Sequence, residues 1–128
     1  MSWTVSQIAV CSIGALHLLF MIGELFPWES PWIMALVVGK WPRPLNLSPE
    51  DGHFVSMVVH SAGIYNGIVA VGLFAAAWNG PAAFDIQIAR LAGGVVAGLF
   101  GAATLTAATS LQALLGAIAL VVVMWRGV

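Results

Sequence analysis

The sequence predicts an all-α, polytopic membrane protein: a bundle of four transmembrane helices with a short interfacial helix in the first loop. Three observations predict it. Of the 128 residues, 61% are hydrophobic and only 7% are charged, whereas a soluble domain carries about 25% charged residues. Mean hydropathy is +1.01. Four apolar stretches approach the roughly 20 residues that cross a bilayer, and proline, glycine and hydroxyl-rich signals separate them. Residues 1–128 read as a single integral membrane domain.

The first span is expected from about Val5 to Phe26. It stops at Pro27, which has no N–H to continue the helical ladder. The N-terminus, MSWTVSQIAV, lacks a positive leading region and a small-residue cleavage site, so this run reads as a retained span and not a signal peptide. Trp28, Trp32 and Trp41 surround its end, as in an aromatic belt at a membrane interface.

The first loop holds PWIMALVVGK, too short to span. It reads as a short interfacial or re-entrant helix, with Ser30 as cap and Pro31 at the first helical position. SPED then offers another helix start, with Ser48 as cap and Pro49, Glu50 and Asp51 in the first turn. The second span runs from about Phe54 to Trp78 and ends at the turn signal Asn79–Gly80–Pro81. The third covers about Phe84 to Ala103, and the fourth about Leu111 to Trp125, closed by Arg126. The hydroxyl-rich stretch TLTAATS lies between them.

Small residues indicate how helices meet. Gly63 and Gly67 form one GxxxG pair, Gly94 and Gly98 another, and Ala89, Gly93, Ala97 and Gly101 repeat at the same spacing. In lipid, such ladders let backbones approach closely. They predict tight packing of the second and third spans, on each other or across a dimer interface.

Other classes are excluded by composition. A formal net charge of −1 supplies no basic face for nucleic acid. The single cysteine, Cys11, permits no internal disulfide and no CxxC motif. No GxSxG nucleophile motif is present.

What remains is a set of polar residues inside apolar helices. His17 and Glu24 interrupt HLLFMIGELFPW, and at seven residues apart they share one helix face. With 1.5 Å per residue, Glu24 lies within a turn of the first-loop interface and His17 about 15 Å below it. By the same rise His60 lies about 9 Å in, and Tyr65 and Asn66 about 17 Å in, on the second span. Gln112 opens the fourth. Thr104, Thr106, Thr109 and Ser110 gather on the same side, and Arg90 is the main exception in the other half. Intramembrane ionisable residues are functional candidates by default. The asymmetry predicts a cavity open toward the long loop, lined by His17, Glu24, His60, Tyr65, Asn66 and Gln112.

Several chemistries fit this set. His17, Glu24 and His60 offer imidazole and carboxylate donors for zinc or iron, but no HxxxH spacing supports a metal and none is expected. Two histidines, His17 and His60, are poor grounds for haem, and no cofactor is expected. A proton-handling pair needs only His17 and Glu24, since imidazole changes charge near neutral pH. The spacing is too long for direct contact, about 10.5 Å along the axis, so a water, a ligand or Tyr65 is expected to bridge them.

HLLFMIGELFPW, GIYNGIVAVGL and AGLFGAATLTAATSLQALL together resemble the signature stretches of a family of small bacterial four-span membrane proteins, domain of unknown function 1304. The resemblance implies a compact inner-membrane protein with motif positions at His17, Phe20, Glu24, Trp28, Gly63, Tyr65, Asn66, Gly67 and Gln112. This chain departs from the family pattern at Ser61 and Ala62, where Asn-Gln would stand, and in the long insert around WPRPLNLSPEDG. The epimerase label sometimes attached to members has no motif behind it here.

The expected function is binding or transport of a small apolar molecule with a polar head. His17 and Glu24 would be the protonation-sensitive pair, with Tyr65, Asn66 and Gln112 orienting the head. A membrane-embedded enzyme with His17 or Glu24 as general acid/base is the first alternative. An accessory subunit of a larger membrane complex is the second. The lipid bilayer is the expected partner, with a homodimer or membrane-complex partner besides. Both termini should share one side of the inner membrane. Positive-inside counting ties, Lys40 and Arg43 against Arg90 and Arg126, and the closeness of the first two places the long loop in the cytoplasm.

Overall fold

The computed structural model describes residues 3–26, 30, 32 and 48–126. Among the described residues the chain is all-α, without strands. Helix α1 is Val5–Leu25, α2 is Pro49–Asn79, α3 is Phe84–Thr104 and α4 is Thr109–Arg126. A 3-10 turn, Gly80–Ala83, joins α2 to α3. The helix start expected at Ser48 and the span expected from Phe54 are one continuous helix. The short helix expected in the first loop lies almost wholly outside the described residues, as do Trp28 and Trp41.

Local chemistry sets these bounds. Thr4 caps α1 in a full capping box: its hydroxyl accepts from the Gln7 amide at 3.2 Å while the Gln7 side chain accepts from the Thr4 amide at 2.9 Å. Ser48 caps α2 by accepting from the Asp51 amide at 3.1 Å, with Pro49 following and Glu50 and Asp51 facing the positive end of the helix dipole. Gly80 ends α2 at φ 58°, ψ −135°, a backbone region that is essentially glycine's alone. The TLTAATS hydroxyls are used locally. Thr104 donates to Phe100 O, Thr109 to Thr106 O and Ser110 to Ala107 O, while Thr106 Oγ1 accepts from the Ala108 amide.

Two stretches are long and apolar enough to cross a membrane: Val5–Leu25, and Pro49–Thr104, which counts the 3-10 turn as part of one helical run. Thr109–Trp125 is apolar and shorter. Helix α1 packs chiefly on α2, and α3 chiefly on α4, while α1 also meets α4. Contact between α2 and α3 is much slighter.

That pattern corrects one of the two expectations for the glycine ladders, that they join the second span to the third, and does not bear on the other, a dimer interface. A Cβ on Gly63 would lie 3.1 Å from the Glu24 and Leu25 side chains, and one on Gly67 would lie 2.6 Å from Met21 Sδ, so both glycines serve the α1–α2 contact. A Cβ on Gly98 would lie 2.6 Å from the Ala113 backbone nitrogen, so Gly98 serves α3–α4. Ala89, Gly93 and Ala97 face outward.

The hydrophobic core gathers Val10, Ile13, Leu73, Ala77, Leu91 and Val123. These positions all lie toward the end of the bundle opposite the long loop. Burying a Leu or Val side chain stabilises by about 1.5–3 kcal/mol in water. The middle of the bundle is left to polar side chains.

Candidate functional site

Three of the expected residues meet between α1 and α2. His17 Nδ1 donates to Asn66 Oδ1 at 2.8 Å, and Asn66 Nδ2 donates to Glu24 Oε2 at 2.7 Å. His17 and Glu24 are therefore joined through Asn66, which spans the distance that two turns of helix put between them. Local sequence explains the meeting. Gly63, one turn before Asn66 on the same face, lets the α1 backbone come close at Glu24 and Leu25. The amide then reaches both side chains from one position.

His17 is only 5% exposed, and its ring stands edge-on to Phe20 with centroids 6.0 Å apart. Its Nε2 is buried and has no hydrogen-bond partner among the described residues. Buried polar atoms nearly always find one, so this atom is the anomaly of the site. It faces α3 at Gly94, where an added Cβ would meet only Nε2, at 3.8 Å. Gln112, buried at the start of α4, donates from Nε2 to Gly94 O at 3.1 Å. Gly94 thus has His17 near its Cα and Gln112 on its carbonyl oxygen.

The remaining candidates lie elsewhere. Tyr65 is 70% exposed, so it neither bridges His17 to Glu24 nor joins their hydrogen-bonded chain. His60 is exposed as well. Among the described residues no group of three His, Cys, Asp or Glu side chains is placed to hold a metal ion.

Residues 11–124 match the sequence profile of a family described as Protein of unknown function (DUF1304). The chain belongs to that family. Comparison with curated proteins and with solved structures gives no match. The segment matched to DUF1304 contains His17, Glu24, Asn66, Gly94 and Gln112, so the whole polar constellation lies in the family's own domain.

Sequence reasoning misses two amides at the other end of the bundle, Gln87 buried and Gln7 part-buried. Gln87 Nε2 donates to Ala76 O at 2.9 Å and to Gly80 O at 2.8 Å. Gln7 Nε2 donates to Ala77 O at 2.9 Å. They also correct the expectation that Arg90 is the main polar group in that half. The capping-box pattern Thr4-x-x-Gln7 was a readable signal for Gln7. Gln87 carried none, because its acceptors come from the end of another helix.

Proposed function

We propose that the protein is a four-span, multi-pass protein of the cell inner membrane that binds or passes a small apolar molecule, whose polar head engages His17. The span reading rests on length, composition and surface. Helix α1, with 21 residues, is about 31 Å long at 1.5 Å per residue, matching a hydrocarbon core of about 30 Å. Large apolar side chains such as Ile8, Leu19, Ile68, Val96 and Leu99 stand exposed along the helices, and patches of that kind on a soluble monomer would drive association. Tryptophans support it too. Trp3, Trp78 and Trp125 lie exposed where α1 begins and α2 and α4 end, while Trp32 lies exposed in the first loop. That is the distribution of two interfacial belts.

One observation carries the binding reading: the unpartnered Nε2 at the end of a hydrogen-bonded chain that holds the ring in place. A histidine retained only for packing would be better served by an apolar ring, since an unpaired buried polar atom costs about 1–3 kcal/mol. An imidazole oriented by a second group also suits general acid/base catalysis, which keeps a membrane-embedded enzyme as the second reading.

Native mass spectrometry of the protein released from its own membranes tests the proposal. The wild type should carry a retained small-molecule mass, and His17→Phe should not. A product formed from that molecule would favour the enzyme. Equal retention by both proteins would move the site away from His17.

A further inference from the structure

Arg90 carries a charge into an otherwise apolar helix. It lies six residues inside α3, about 9 Å from Phe84 at 1.5 Å per residue. A guanidinium is always charged and offers five N–H donors. Inside a membrane span such a group ordinarily has a partner. Among the described residues Arg90 has neither a hydrogen bond nor an ion pair. Asp85, the acidic residue described at this end of the bundle, is exposed and five residues away, about 140° round the helix. The counter-charge has to come from outside the chain.

The guanidinium is held well inside the helix end. A Cβ on Gly72 would overlap Arg90 Cζ and lie 2.5 Å from Nη1 and 2.6 Å from Nη2, so the fork rests on the α2 backbone in space that a glycine leaves. Gly72 is seven residues before Asn79, about 10.5 Å from the end of α2. From this contact toward the long-loop end the two helices part. Tyr65 lies seven residues before Gly72, and Ala97 seven after Arg90, each on the face of its contact residue. Were α2 and α3 packed along their length, these faces would cover each other. Instead Tyr65 is 70% exposed and Ile68 59%, and Gly93 and Ala97 are exposed as well. A Cβ on Gly93 would meet nothing within 4 Å. The two helices enclose a wedge-shaped groove, narrow at Arg90 and widening inward.

Resting on the membrane-span reading above, we infer that this groove binds an anionic phospholipid, its phosphate on the Arg90 fork and one acyl chain along Ile68, Tyr65, Gly93 and Ala97. Charge complementarity selects the head group, and the paired N–H donors of arginine match phosphate oxygens. The sequence of surfaces selects the tail. A cation near the helix ends followed by an apolar trough toward the middle of the bundle repeats the order of head and chain in one leaflet. A zwitterionic lipid is less suited, because its ammonium brings a like charge to the guanidinium. The groove opens sideways, so a lipid enters without any helix moving.

Native mass spectrometry of the delipidated full chain in neutral detergent tests this, with phosphatidylglycerol, phosphatidylcholine and oleate added in turn. Phosphatidylglycerol should be retained about tenfold more than phosphatidylcholine, the weight of one charge-assisted hydrogen bond. Arg90→Gln should bring the two lipids level. Gly72→Ala should do the same with Arg90 still present, because its methyl takes the place of the fork. Phosphatidylglycerol bearing a diazirine on its acyl chain should label wild-type peptides that contain Ile68 or Ala97, a readout that needs no variant to fold. Equal retention of the two phospholipids by the wild type, retention unchanged in Arg90→Gln, or labelling confined to other peptides would overturn the site. Stronger Arg90-dependent retention of oleate, or a dimer that Arg90→Gln dissolves, would overturn phospholipid as the occupant. A chain that stays monodisperse without detergent would overturn the span reading itself.

Discussion

Two regions of this molecule bury side-chain amides, and they use them differently. At the turn between α2 and α3, Gln87 and Gln7 donate to Ala76 O, Gly80 O and Ala77 O. These carbonyls lie at the end of α2, where backbone acceptors run short of intrahelical donors, although Ala77 O also accepts from the Gly80 N–H. Two glutamine side chains supply further donors to these carbonyls. Between α1 and α2, Asn66 joins a carboxylate to an imidazole, and the imidazole still has an unpartnered nitrogen. The first arrangement closes an account of backbone acceptors. The second stays open at Nε2, and that difference separates a structural clamp from a candidate site.

The contrast makes a ranked set of expectations. Gln87→Leu should have the largest effect on stability. It strips two carbonyls of their donor, and each unsatisfied buried group costs about 1–3 kcal/mol. The variant should unfold in detergent at a clearly lower temperature, followed by tryptophan fluorescence, with any ligand affinity unchanged wherever it remains folded. An unchanged melting temperature would show that the turn does not depend on the clamp.

Asn66→Leu should come next. It leaves the His17 Nδ1–H buried without an acceptor, at about 1–3 kcal/mol. Glu24 is only partly buried. Here stability and ligand retention should fall together, since Asn66 both packs the crossing and orients the ring. Loss of stability with full ligand retention would reduce Asn66 to a packing residue.

The helix limits were legible in the sequence because their signals are local. Pro27, the Ser48–Pro49 cap and Asn79–Gly80–Pro81 act through backbone chemistry that no tertiary contact overrides. The site was legible only in part. Depth along the helices selected His17, Glu24, Asn66 and Gln112, but it could not separate Tyr65 from Asn66, which are neighbours about 100° apart around the helix axis. The rotation of α2 decides between them. Gly63, Ala70, Leu73 and Ala77 are buried at the spacing of one helix face, and Asn66 falls on that face while Tyr65 does not. The GxxxG pair already marked it. Read together with the polar residues, it would have chosen Asn66 as the bridge.

His17→Phe should change stability by less than about 1 kcal/mol, because two effects oppose each other. The substitution removes the bond to Asn66 but also removes the unpartnered Nε2, and an aromatic ring of similar shape remains beside Phe20. A melting temperature close to wild type, with ligand retention lost, would mark the histidine as present for function. A large destabilisation would place it with Gln87 as a structural clamp.

Glu24→Gln should have the smallest effect on the fold, and it isolates charge from geometry. A glutamine side-chain oxygen can accept from Asn66 Nδ2 just as the carboxylate does. The chain from residue 24 to His17 then stays connected, and stability should stay within about 0.5 kcal/mol of wild type. Yet the amide can now turn either way, because glutamine can also donate. If Glu24 is ionised in the wild type, the substitution removes the constraint that turns Asn66 Oδ1 toward His17 and keeps the proton on Nδ1. Infrared or nitrogen-15 NMR signatures of the His17 ring should therefore show a change in tautomer balance in Glu24→Gln, with an unchanged melting temperature. An identical ring signature in both proteins would mean that Asn66 is oriented by its surroundings alone, and that Glu24 contributes shape but no charge to the site.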